Sequence, residues 1–84
     1  MKVLFEIYRD GSGGPYRVVH FTELGADERD AEIERAMNGE HVFDGFAVES
    51  DDARRAIEAL VDRLNRGERL DGEAIAAALD GVLV

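Results

Sequence analysis

At 84 residues and with no cysteine, the chain is predicted to be a single domain spanning 1–84, without disulfides, thiolate metal sites or a cysteine nucleophile. It carries 19 acidic and 10 basic residues, a formal net charge of −9 that repels phosphate backbones. The basic residues are spread from Lys2 to Arg69, so direct nucleic-acid binding is not expected.

No apolar run approaches the roughly 18 residues that a membrane-spanning helix needs. Met1 to Glu6 meets a charge too early for a secretory h-region, so the expectation is a cytoplasmic protein with no membrane role. A hydrophobic content of 45% is enough for a folded core despite 35% charged residues. A domain this short has a stability on the order of 4–12 kcal/mol and little room for a deep cavity beside its core.

Residues 2–9 read as a strand, with Val3, Phe5 and Ile7 on one face and Lys2, Leu4, Glu6 and Tyr8 on the other. Asp10 to Pro15 is a glycine-rich loop, and residues 16–22 form a second strand that closes an antiparallel hairpin. A first helix is predicted over 28–38, with Asp27 as N-cap and Gly39 as a left-handed C-terminal cap. Its apolar residues, Ala31, Ile33, Ala36 and Met37, are small or flexible, so it is lightly anchored.

The stretch from Gly39 to Ser50 separates two helices and is expected to be the structural centre. It admits two forms. One is a strand over 41–49 with a glycine bulge at Gly45, which turns Val42, Phe46 and Val48 to the core. The other is a tiny hairpin turning on Asp44 and Gly45. The bulged strand is preferred, because strands of two or three residues add little ladder.

The strongest helix is predicted over 51–66. Ser50 caps it, and Ala53, Ala56, Ile57, Leu60, Val61 and Leu64 form one stripe. Asp51 with Arg55 and Asp62 with Arg66 have the spacing of supporting ion pairs. A short helix over 72–80 follows, capped by Asp71, with Leu70 and Ile75 spaced as a hydrophobic staple. Val82 to Val84 form a tail, a docked apolar end or a short edge strand. The predicted fold is therefore α+β: a small two-layer sandwich, an antiparallel sheet of three or four strands with two to three helices, in the order ββαβαα.

Chemistry is harder to find. The loop around Gly11 to Gly14 lacks the following helix and the lysine of a phosphate-binding loop. His20 and His41 could join Asp44 or Glu23 in a metal site if their strands were neighbours, but no ligand spacing supports it. The acidic clusters read as solvated faces and helix caps, and Asp44-Gly45 does not complete a calcium loop. Ser12 and Ser50 sit in no nucleophile elbow. No catalytic residue, cofactor or metal is assigned.

Gly13-Gly14-Pro15-Tyr16 and Phe21 to Gly25 resemble the opening of HicB-type antitoxins, a hairpin leading into a loop segment. The likeness covers residues 1–25. The segment's prolines and its Gly-Asp-Thr step are absent, and nothing after residue 39 corresponds, so no family follows from it.

The functional expectation rests on the hairpin's mixed faces. Leu4, Tyr8, Val19 and Phe21 are apolar where a sheet covered on one side should be polar. Either the helices divide between the two faces, or the open face is buried against another chain. The second is preferred. The leading reading is a small acidic interaction or regulatory module, acting as a homodimer or through a partner protein. The alternative is an acidic inhibitor, antitoxin-like in action, that blocks a basic nucleic-acid-binding partner. A metal-dependent enzyme using His20, His41 and nearby carboxylates ranks third.

Overall fold

Strand β1, Lys2–Arg9, is the centre of the molecule, with β2 (Tyr16–His20) on one side and β3 (Glu40–Val48) on the other. The computed structural model describes residues 2–11, 13–21 and 26–84. Ser12 and the segment 22–25, which includes the expected end of the second strand and Glu23, lie outside the described residues. Helices α1 (Ala26–Asn38), α2 (Asp51–Asn65) and α3 (Gly72–Ala78) complete an α+β fold in the expected order ββαβαα.

Why β1 and not the 39–50 stretch takes the centre follows from burial. Phe5, Ile7 and Tyr8 are fully buried, and they point to both faces of the strand. A strand with apolar groups on both sides is best placed where neighbours flank it and helices can cover it. Both neighbours pair antiparallel with β1 and so run parallel to each other. The chain must cross the sheet between them, and α1 is that crossover.

Residues opposite one another in the ladder share a face. Phe5 faces His20 and Gly45, Ile7 faces Val18 and Phe43, and Val3 faces Ala47. On this face the core forms, where Phe5, Ile7 and Ala47 meet Ile57, Leu60, Val61 and Leu64 of α2 and Ile75 and Leu79 at α3. The stripe read from the sequence is the stripe that is buried. Ser50 caps α2 by accepting from the Ala53 amide at 3.0 Å, and Asp71 caps α3 by accepting from the Ala74 amide at 2.8 Å. Gly67, at φ +97°, closes α2, with the Glu68 amide donating to the Arg63 carbonyl and the Gly67 amide to that of Leu64. Arg55 pairs with Asp52, where Asp51 was the expected partner.

The other face carries Leu4, Glu6 and Tyr8, opposed by Val19, Arg17, Phe46, Asp44 and His41. Ile33, Ala36 and Met37 of α1 line a groove on this face together with Leu4, Glu6 and Phe21. The first of the two arrangements weighed from the sequence, helices on both faces, is therefore present, and α1 still leaves Phe46 and Met37 exposed on this side. The helices divide, because the crossover between two parallel neighbours has to lie over one face.

Residues 40–48 form one strand, as preferred, but its bulge is elsewhere. Ile7 faces Phe43 and Tyr8 faces His41, which leaves Val42 as the extra residue, while Gly45 keeps regular register. The register on β1 decides what the strand presents. Val42, Phe43 and Ala47 pack toward the core, and Phe46 and Val48, expected inside, are exposed on the opposite face. Asp44 lies within the strand, opposite Glu6, not in a turn.

Gly39 is also reassigned, since it does not adopt a positive φ. A Cβ there would come within 2.2 Å of the Arg9 carbonyl oxygen, so glycine is required by close backbone approach. At the end of the chain Leu83 bridges to Ala47. Hydrogen bonds of 2.9 Å join the Val48 amide to the Val82 carbonyl and the Val84 amide to the Phe46 carbonyl. The tail is a short edge pairing, one of the three forms expected.

Candidate interaction surface

The surface to consider is the sheet face opposite the core, built from alternate residues of three strands and one side of α1. The four residues singled out from the sequence divide there. Tyr8 is 0% exposed and Val19 3%, both already covered within the chain, while Leu4 and Phe21 are half-buried on the groove floor. The backbone after α1 runs beside Tyr8, since a Cβ at Gly39 would lie 3.4 Å from its ring.

Exposure then rises across the sheet. Phe46 is 44% exposed and Val48 43%, both on β3, and on α1 Ile33 borders the groove with Met37, which is 80% exposed. Leu4 connects the two sets, since it faces Phe46 across the ladder and lines the groove with Ile33 and Met37. The groove has a volume of about 620 Å³. Glu6 and His41 line it beside the apolar residues, and exposed Phe46 adjoins it through Leu4, so several apolar side chains gather in a strip on one side of a small domain.

Charge at the strip is predominantly negative. Glu6 and Asp44 oppose each other directly, an arrangement that is unfavourable by itself. His41 lies between them, with Nδ1 donating to Glu6 Oε1 at 3.0 Å and Nε2 3.6 Å from Asp44 Oδ1. Lys2 sits at the far corner, 4.9 Å above the Phe46 ring.

His20 is on the core face, opposite Phe5, in a cleft shared with Val3, Ser50, Arg54 and Ile57. The sheet therefore separates His20 from His41, and the two-histidine metal site weighed from the sequence is not assembled. Among the described residues no three histidine or acidic side chains converge where they could hold a metal. Burial holds the His20 imidazole below its ordinary value, the Arg54 guanidinium adds to that effect, and Glu58 opposes it. Its Nε2 is buried without a hydrogen-bond partner among the described residues.

A second, polar cleft of about 970 Å³ lies at the loop end of the sheet, between the hairpin loop, the start of β3 and the segment joining α2 to α3. Asn65 closes one side of it in a way the sequence did not signal. Its side chain accepts from the Tyr16 amide at 2.7 Å and donates to the Tyr16 carbonyl at 3.1 Å, occupying the free edge of β2 as a strand would. Arg9 donates to the Gly14 carbonyl at 3.1 Å and stacks over the Tyr16 ring, and Arg17 pairs with Asp10 at 3.0 Å. These contacts hold the hairpin end, and every group in them has a partner.

The residues missed from the sequence are Ile33, Met37, Phe46 and Val48. Ile33 and Met37 were visible as apolar residues on a poorly amphipathic helix. Phe46 and Val48 face the open side, against expectation, because the long-range register sets Ala47, not its neighbours, opposite Val3 on the core face. No protein-family model, curated protein or solved structure matches the chain.

Proposed function

We propose that this protein is a non-catalytic interaction module that works through the strip of Leu4, Phe21, Ile33, Met37, Phe46 and Val48, either as a homodimer or with a partner protein. The observation that carries the reading is the gathering of exposed apolar residues on one sheet face around half-buried Leu4 and Phe21. A domain on the order of 4–12 kcal/mol stable gains nothing by exposing such groups, whereas covering them in a complex recovers their burial. The sheet standing between His20 and His41 weighs against the metal-dependent enzyme.

The test compares the wild type with the exposed-site double variant M37S/F46S. Sedimentation is followed over a concentration series, and binding is measured to candidate protein segments. Self-association or binding that the double substitution abolishes supports the module. Association that is unchanged in a folded M37S/F46S protein overturns it.

The net charge of −9 favours a second reading, an acidic inhibitor that masks a basic nucleic-acid-binding partner. Binding of that kind depends on charge alone and collapses as salt rises, with no response to M37S/F46S.

A further inference from the structure

We propose that the occupant of the groove is a cationic amphipathic helix of a partner protein, laid beside α1 over the open β3 side of the sheet face. This deepens the interaction-module reading and rests on it. Three observations select the occupant.

The first is that the sheet's edges are taken. The tail holds the outer edge of β3 through the backbone bonds of Val82 and Val84, and Asn65 occupies the edge of β2 at Tyr16. A partner strand could not run the full length of either edge without displacing these bonds, whereas the face is open along its length on the β3 side. A sheet face is covered by a helix whose apolar residues recur at i, i+3, i+4 and i+7. The face of β1 from Lys2 to Tyr8 is about 20 Å long, which a helix of roughly 13 residues matches.

The second is the graded cover across that face. Val19 and Tyr8 are buried while Phe46 and Val48 are exposed, so the vacant strip runs along the β3 side, with Ile33 and Met37 as its wall. A helix placed there continues the layer that α1 begins.

The third is charge. Glu6 lines the groove, Asp44 faces it with His41 between them, Asp30 is exposed one turn before Ile33, and Lys2 over Phe46 is the one cation described on the strip itself. A second copy of this chain would join two molecules of net charge −9 across an acidic face. A helix flanked by lysine or arginine meets opposite charge at the same positions. Complementarity thus favours a basic partner over a second copy.

The experiment titrates the full chain with two synthetic helices of about four turns. Both carry the same leucine stripe, one flanked by lysine and the other by glutamate. Fluorescence anisotropy is read at about 50 mM and about 500 mM salt. Wild type, M37S/F46S and Asp44→Lys are compared, with circular dichroism confirming that each variant folds.

The lysine helix is expected to bind at least about tenfold more tightly than the glutamate helix at low salt, with the advantage shrinking at high salt. M37S/F46S should weaken it about tenfold, and Asp44→Lys should narrow the preference. Equal binding of both helices overturns the charge assignment and leaves the interaction module standing. Lysine-helix binding indifferent to M37S/F46S overturns the groove as its site. If neither helix binds but the protein sediments as a dimer that M37S/F46S dissociates, the occupant is a second copy, and this inference fails alone. If neither binds and the protein is monomeric, the inference and the module reading fail together.

Discussion

His20 and His41 carry the same side chain in opposite circumstances, and the difference is set by which face each strand position presents. His41 is exposed and held between two carboxylates, with Nδ1 3.0 Å from Glu6 Oε1 and Nε2 3.6 Å from Asp44 Oδ1. His20 sits under α2, where burial first and Arg54 second disfavour its charged form. A histidine whose folded pKa lies below its unfolded value of about 6.5 binds protons more readily in the unfolded chain. The stability it allows is complete above about pH 6.5 and is lost as pH falls through the lowered folded value. Urea midpoints measured between about pH 8 and pH 5 should therefore decline on the acid side, and His20→Gln should flatten that part of the decline. An unchanged slope in the variant would place the acid sensitivity elsewhere.

At the scale of elements, α1 and α2 are helices of similar length with different anchoring. α2 has a side-chain cap, a glycine closure and a stripe in which Ile57, Leu60 and Leu64 are almost wholly buried. α1 leaves Met37 and much of Ile33 in solvent. Ile57→Ala should cost about 2–5 kcal/mol, a large part of the whole stability, because it empties a packed site. Met37→Ala should change stability by no more than about 0.5 kcal/mol, because it removes no internal contact of consequence. Urea denaturation of the two variants checks the contrast. Equal costs would mean that Met37 is packed in the free protein and that the groove is closed.

At the scale of the molecule, the formal net charge of −9 on 84 residues repels itself more in the compact state than in the expanded one. Screening relieves that repulsion, so the urea midpoint should rise from about 10 mM to about 500 mM salt. A midpoint that falls with salt would show that favourable ion pairs outweigh the net repulsion. The described pairs are mostly exposed, such as Arg63 with Glu68 and Arg55 with Asp52, and pairs of that kind are worth little. The same acidity bears on function, because it sets which partners can approach the sheet face.

The local signals in this chain determined its elements. Ser50 and Asp71 cap the helices that the pattern places after them, and the stripe from Ala53 to Leu64 is buried as its period requires. The hairpin, the element order and the apolar content of both sheet faces were legible for the same reason: each depends on residues a few positions apart. Tertiary structure decided what those faces do. Which strand is central, which face α1 crosses and where β3 bulges are settled by pairings between residues some 40 positions apart. A strand alternates with a period of two, so the register that sets Ala47 opposite Val3 and Gly45 opposite Phe5 turns Phe46 and Val48 to the open face. Two of the six residues of the candidate strip, Phe46 and Val48, owe their orientation to that register, and α1 brings Ile33 and Met37 beside them by crossing this face.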